Sequence, residues 1–286
     1  MNVESTVRRV AGFSVSILLV LCVLGSSGCA SNRWIGREGF IAPDGIYVVH
    51  VPGIMGTLGH DQAFGIWLIL SGAQDVTMFD WTGPIPLTNL TDTQRHERMA
   101  RDLVAELHLL RKEHPSARIV VTSHSGGTRV AIRAAELLAE EAETAVEAAP
   151  PLVEQMWVIA AAVSPKYDLS AALQGVQQMY VIDSEHDWLI LGLGTAVFGT
   201  ADRDHVQSAG MVGFMYEDGS RLHKIHYDPW WRELDNSGGH LSALGRNFVK
   251  GVIGPIMLGR QPVWTPDSSA DAPGVVDPRH ARAETP

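Results

Sequence analysis

At 286 residues, 45% hydrophobic and 19% charged, the chain has enough apolar residues for one large α/β domain with a well-buried core. Its formal net charge of -10 offers no basic footprint with which to neutralise phosphates, which argues against a nucleic-acid partner. The same charge gives an anionic membrane surface nothing to attract.

In chain order, Arg8 and Arg9 precede an apolar run from about Phe13 to Leu24, and the small residues Gly25, Ser26, Ser27 and Gly28 separate that run from Cys29. A charged region, a hydrophobic region and a small-residue zone make the layout of a secretory signal, and the run is too short for a comfortable membrane span. The segment Gly25-Ser26-Ser27-Gly28-Cys29-Ala30-Ser31 resembles a bacterial lipobox, with Ser26 where an aliphatic residue is commoner. That resemblance implies cleavage before Cys29, lipidation of its thiol and a place in the bacterial cell envelope, at the outer membrane or in the periplasm. A plain signal peptide cut near Ser27 to Ala30, leaving a secreted protein, and an uncut anchor are the alternatives. The other cysteine, Cys22, lies inside the signal, so a mature chain beginning at Cys29 could form no internal disulfide. The expected organisation is a signal over 1–28, a polar tether over 29–44, one domain over 45–260 and a disordered Pro, Asp, Ala and Ser-rich tail over 261–286.

The domain begins with a β-branched and aromatic strand, Ile46 to Val51, that runs into Pro52-Gly53. A second strand is predicted at Val76 to Trp81. Next comes a helix opening at Thr91, with Gln94 in capping-box spacing and Met99, Leu103, Leu107 and Leu110 on one face. Ala117 to Thr122 forms a strand that runs straight into Ser123-His124-Ser125-Gly126-Gly127, and a helix follows from about Thr128 to Glu141. Further strands are predicted at Met156 to Val163, Gln178 to Asp183 and Arg221 to Tyr227, with a short helical stretch near Leu169 to Gln174. Trp188 to Gly219 reads as a long surface excursion, and Leu241 to Ile253 as a closing helix. Alternating strands and helices in this order predict a mostly parallel central sheet covered on both faces.

The strand that stops at Ser125, with a helix beginning two or three residues later, is the feature that carries chemistry. Such a turn forces the central side chain into a strained backbone position, and its neighbours must be small. The segment resembles the nucleophile elbow of α/β-hydrolases, G-x-S-x-G, with Ser123 in place of the first glycine. The resemblance implies the α/β-hydrolase fold without a large lid domain, and a serine hydrolase in which Ser125 attacks, His240 acts as base and Asp187 orients the base. Asp187 follows a strand end in Asp183-Ser184-Glu185-His186-Asp187, and His240 follows glycines in Asn236-Ser237-Gly238-Gly239-His240 just before an apolar helix. Acid and then His is the chain order of that family. Asp183, Glu185 and Asp168 are rivals for the acid, Asp168 with a plain helix-capping role as its alternative. His223 and His226 read as strand-face residues, and His124 as a residue that lines or supports the site. The oxyanion donors implied are the backbone N–H groups of Gly126 and of Ile54, in the turn Pro52-Gly53-Ile54-Met55-Gly56, with Met55 second.

Metal hydrolysis is the rival mechanism, given 12 His. No H-E-x-x-H or comparable cluster occurs, so no metal ligand or cofactor is expected, although His60-Asp61 and Asp202 to His205 could touch a cation. A binding or scaffolding lipoprotein on the same fold is the rival of another class, and thioester hydrolysis or acyl transfer are rivals within the chemistry. The expected substrate is a small-molecule or lipid ester. Its acyl pocket would be shaped by Phe64, Trp67, Leu68 and Leu70 and by the excursion after Trp188, unless those residues are ordinary core.

Overall fold

The structure, a computed structural model, describes residues 33–36, 45–147, 149–187, 201 and 207–263. The segment predicted as a signal, Cys29, most of the predicted excursion with Asp202 to His205, and the residues from 264 onward lie outside the described residues. No helix among the described residues is long and apolar enough to cross a membrane.

Seven strands form one sheet: β1 (Arg33–Gly36), β2 (Ile46–Val51), β3 (Asp75–Met78), β4 (Arg118–His124), β5 (Val153–Ile159), β6 (Val176–Asp183) and β7 (Leu222–His226). Their order is β1-β3-β2-β4-β5-β6-β7. Every neighbouring pair from β3 to β7 is parallel, and β1 lies antiparallel on the edge of β3. This is the mostly parallel sheet that the sequence predicts. The central strands read as continuous apolar runs because both faces are covered: β2 is buried at all six positions.

Helices α1 (Gly59–Ser71), α2 (Pro86–Thr91), α3 (Thr93–Glu113), α4 (Gly127–Thr144), α5 (Ser170–Gln174) and α6 (Ala209–Val212) connect the strands. On one face α4 packs between α3 and α5, and on the other α1 meets the closing helix. Between β5 and β6 the only helix is the five-residue α5, so no lid domain is inserted there.

Several boundaries depart from the predicted ones, each for a local reason. The tether contains β1, because a four-residue edge strand needs only the free side of β3 and carries too little pattern to be read alone. The helix predicted from Thr91 starts at Thr93: the ionised side chain of Asp92 accepts from Arg95 N and caps it, while Thr91 ends α2. The strand predicted to reach Trp81 ends at Met78, beyond which Asp80 turns to accept from Thr57 N at 3.1 Å. The strand predicted to reach Val163 ends at Ile159, because Ala160 adopts a left-handed backbone (φ 50°). Residues 59–71, not assigned as a helix from sequence, form α1, with Leu58 N bonded to Asp61 Oδ2 at 2.8 Å. The closing helix is broken by Gly245 and runs as Arg246–Phe248, a π-turn at Val249–Ile253 and Gly254–Met257. The described end of the excursion is partly core: Ala209 and Gly210 donate to Val163 O and Ala161 O, and Ala209, Gly210 and Met211 are buried, while Val212 and Met215 stay exposed.

Parallel register aligns the strand ends that matter. Val51 pairs with Ser123, and His124 with Ile159, so the loops after β2, β4, β5 and β6 emerge along one edge of the sheet. There α4 starts so close to the end of β2 that a Cβ on Gly127 would stand 2.2 Å from Pro52 O and 2.7 Å from Val51 O. Only glycine fits without moving backbone. Gly127→Ala is therefore expected to destabilise the fold by roughly 1–3 kcal/mol, the usual range for overpacking. Thermal unfolding measures it against Gly59→Ala, where a Cβ meets nothing within 4 Å and no loss is expected; equal melting temperatures for the two variants would contradict the close approach.

Candidate active site

The turn after β4 holds one of the three left-handed non-glycine residues of the described backbone. Ser125 has φ 53°, a left-handed conformation that costs an L-residue about 1–2 kcal/mol. Four hydrogen bonds hold it. Ser125 N donates to Ile159 O at 3.0 Å, and Ser125 O accepts from Thr128 N (3.1 Å), Thr128 Oγ1 (2.6 Å) and Ala162 N (3.3 Å). Ser123 is fully buried and its hydroxyl donates to Trp157 O at 3.0 Å, which is how a serine is accommodated where the elbow pattern has glycine.

Beside this turn, a Cβ on Gly126 would lie 2.2 Å from Ile54 Cγ2 and 3.6 Å from Ile54 N, which brings the two predicted oxyanion donors together. Neither the Ile54 nor the Gly126 N–H has a hydrogen-bond partner among the described residues. The Ile54 turn is itself fixed: Asn89 Nδ2 donates to Ile54 O at 2.9 Å, Trp81 Nε1 to Pro52 O at 2.8 Å, and Gly56 N to Gly53 O at 3.0 Å. The N-terminus of the 18-residue α4 adds its positive dipole end at the same place.

Asp187 and His240 are brought together, Nδ1 of the imidazole lying 2.7 Å from Oδ2 of the carboxylate. That bond places the ring proton on Nδ1 and leaves Nε2 as the basic nitrogen. Both groups resist charge: burial pushes the Asp187 carboxyl up to about 8 and the His240 imidazole down to about 4. Between those limits the pair keeps one proton. Behind it lies a cavity of about 20 Å³, bordered by Asp183, Ser184, Asp187, Asn236 and His240, which is room for one water beside the otherwise unpartnered Asp187 Oδ1.

The remaining candidates separate cleanly. Asp183 is buried and bonded to His226 Nδ1 at 2.8 Å, so two residues weighed as rivals are joined to each other instead. Asp168 is exposed and accepts from Ser170 N at 2.9 Å, a turn at the start of α5. Glu185 is exposed, and His223 stacks on Tyr180 and bonds Gln178 Oε1. His124 Nε2 donates to the carbonyl of His240 at 3.0 Å, and the two rings are 4.7 Å apart, so Ser125, next in the chain, lies beside the loop that carries His240. No hydrogen bond joins Ser125 Oγ to His240 among the described residues; such contacts commonly tighten only when substrate binds. Gly238, with φ 82° and a Cβ position 2.5 Å from Ser184 Oγ, is demanded by close packing.

Of the two readings of the apolar residues after Gly59, pocket or core, the structure takes core at two positions. Phe64 and Leu68 do not line a pocket: both are fully buried between α1 and the sheet, while Leu70 points outward at 57% exposure. Trp67 is partly buried under the Arg246 guanidinium. A larger hollow of 420 Å³, lined by Pro150, Pro151, Gly175 and Arg221 among others, opens at the opposite edge of the sheet and holds none of these groups. Of the set around Asp61, sequence reasoning named His60 and Asp61 as residues that could touch a cation but missed His50 and the approach of His124. His50, inside β2, gives no periodic or motif signal, yet its Nε2 lies 3.1 Å from Asp61 Oδ1 and its Nδ1 2.9 Å from Thr122 Oγ1.

No protein-family model and no curated protein matches the chain. Solved structures with a similar outline include a lidless α/β serine hydrolase of Xanthomonas campestris, at 15% identity and a TM-score of 0.49, covering 82% of this chain and 90% of that one. An esterase of Pyrococcus furiosus aligns at 14% identity and a TM-score of 0.48, covering 80% and 85%. An inhibited esterase B of Lactobacillus rhamnosis aligns at 10% identity and a TM-score of 0.47, covering 87% and 91%.

A short bond from imidazole N–H to carboxylate has a spectroscopic mark. The His240 Nδ1 proton is expected to resonate well downfield of the amide protons and to vanish in Asp187→Ala. A downfield signal that survives this substitution but is lost in Asp183→Ala would assign it to the His226 pair instead.

Proposed function

We propose that the chain is a serine hydrolase cleaving carboxylic esters through an acyl-enzyme. The observation that carries this reading is the 2.7 Å Asp187–His240 pair beside the left-handed elbow at Ser125, in the chain order serine, acid, histidine. Ser125 Oγ adds to the ester carbonyl carbon while its proton passes to His240 Nε2. The oxyanion so formed is met by the Ile54 and Gly126 N–H groups, donors that need no reorganisation because the turn and the elbow already hold them. Asp187 stabilises the imidazolium and does not itself take the proton. Collapse expels the alcohol, protonated from His240, and water then cleaves the acyl-serine by the same sequence of proton transfers.

The substrate class follows from the same groups: a carbonyl that accepts two N–H bonds and an alkoxide leaving group that needs one proton. Transfer of the acyl group to an alcohol, or hydrolysis of a thioester, would use the same machinery. For the envelope, we infer a lipid anchor at Cys29, on the lipobox-like segment alone, with the domain held at a membrane on the outer face of the cell or in the periplasm.

Ser125→Ala is expected to lower turnover of p-nitrophenyl esters by about 10⁴-fold or more without lowering the melting temperature, and to abolish labelling by a fluorophosphonate. Asp187→Asn is expected to lose roughly 10⁴-fold, and Asp168→Asn almost nothing. Wild-type rates in Ser125→Ala would put the nucleophile elsewhere, with Ser123 the next candidate, and a wild type that neither turns over esters nor takes the label would leave a binding protein on this fold.

The pH dependence follows from the shared proton. Activity requires its loss, so kcat/KM is expected to rise with pH through an ionisation on the alkaline side of about 6.5, the ordinary histidine value, toward the raised value of Asp187. In Asp187→Asn the late proton is gone and the residual rising limb moves to lower pH. A wild-type limb below about pH 6 would contradict the proton count.

The anchor is tested separately, by expressing the full chain and Cys29→Ser, fractionating cells and labelling with palmitate. The anchor predicts label and membrane association for the first alone; equal release of both, unlabelled, would leave a simple secreted or uncut protein.

A further inference from the structure

Next to the elbow stands a cluster that the ester chemistry above does not use. A ring nitrogen of His60, a carboxylate oxygen of Asp61 and a ring nitrogen of His124 lie within 4.8 Å of one another. Asp61 is fully buried, His124 is 2% exposed and the His60 side chain is 32% exposed, so the cluster has two fixed members and one at the surface. His124 Nε2 faces the carbonyl of His240, which can only accept, so that nitrogen carries the hydrogen and Nδ1 holds the lone pair. His124 Nδ1 is buried and has no hydrogen-bond partner. A buried acceptor without a partner costs free energy, and something must supply it with an electrophile or a proton.

We propose that His60, Asp61 and His124 form a binding site for a divalent transition cation of the zinc class. Two imidazoles and one carboxylate are a donor set suited to zinc rather than to magnesium or calcium, which prefer oxygen. Bonds of ~2.0–2.1 Å in a tetrahedron put neighbouring ligand atoms ~3.3 Å apart. His60 Nε2 and Asp61 Oδ2 already stand at 3.3 Å. The outer partners of a metal site are in place as well. His124 donates its other ring N–H to a backbone carbonyl, and the Asp61 carboxylate accepts from Leu58 N at 2.8 Å and faces His50 Nε2 at 3.1 Å through its other oxygen. Three protein ligands leave a fourth position for water. The cation would join α1, through His60 and Asp61, to the elbow, through His124, and the bond from His124 to the His240 carbonyl would extend the clamp to the loop that carries the base.

The test uses the full mature-length chain without an affinity tag, dialysed against a chelator and titrated with zinc chloride by calorimetry. Bound metal is counted by mass spectrometry after gel filtration. The expected result is one zinc bound per chain with a rise in melting temperature, and affinity at least about 10-fold weaker in His60→Ala and in Asp61→Asn. His108→Ala, at an exposed position remote from the cluster, is expected to bind as wild type. Since Asp61 is buried and Asp61→Asn can fail to fold, His60→Ala decides: its partly exposed ring can be removed without opening the core, and circular dichroism checks its folding. No stoichiometric zinc in the wild type at 100-fold excess would overturn the site, leaving a water as the partner of His124 Nδ1. Equal affinity in folded His60→Ala would overturn it too. Fluorophosphonate labelling of Ser125 is read in parallel, so loss of the hydrolase reading and loss of the metal site are separate results.

Discussion

The strained backbone at Ser125 can exist only because the elements around it leave no cheaper path for the chain. Strand β4 enters the turn buried on both faces and locked in register between β2 and β5, and α4 leaves it pressed against the last carbonyls of β2. Between them the chain must reverse direction within two or three residues. A left-handed residue does this at a cost of about 1–2 kcal/mol, which the bonds to Ile159, Thr128 and Ala162 offset. The same crowding that forces the conformation brings Gly126 against Ile54 and sets His124 beside the loop of His240. Strain, the approach of these two turns and histidine placement are one constraint seen from three sides.

The second constraint is electrostatic. The C-terminal edge of the sheet holds two buried carboxylates, Asp183 and Asp187, four residues apart on one turn, and burial pushes both carboxyls upward. Each is answered by a different histidine. His226, at the end of β7, is held upward by the Asp183 carboxylate beside it, whereas His240 is pushed down by burial. The first pair tends toward an ion pair that ties β6 to β7; in the second, burial disfavours the charged form of both groups. Two chemically identical pairs therefore have different roles because their solvation differs: the His226 side chain is 60% exposed and that of His240 only 12%.

What the sequence made legible was whatever depends on local geometry. Strand β4 and the Ser-His-Ser-Gly-Gly turn, the acid loop and the glycines before His240 are each contained in a few consecutive residues, and their order restricts how they can meet. The parallel sheet was legible for the same reason, since strands buried on both faces show as unbroken apolar runs. What stayed dark depends on partners distant in the chain. The four residues of β1 are a strand only because β3 offers an open edge. Helix α1 has little amphipathic contrast, and its Phe64 and Leu68, readable equally as pocket or core, became core once the sheet lay beneath them. Asp183 and Asp187 were separable by loop position, but that Asp183 has its own histidine was not.

Although Gly238 and Gly239 lie within the loop of His240, the segment is fastened along its length: Asn236 N bonds Trp231 O at 3.0 Å, its side chain accepts from Gly238 N at 2.9 Å, and Asp235 turns the chain with φ 57°. At its end His240 is gripped twice, by Asp187 through the ring and by His124 through the carbonyl. An imidazole held at both its side chain and its backbone has little orientational entropy left to lose when a proton arrives at Nε2, which is what a base needs if it is to act without first being ordered. His124, which precedes Ser125, thus steadies the residue that we propose as the base, and because it also lies within ligand distance of His60 and Asp61, whatever occupies that cluster bears on the position of His240 through a single shared ring.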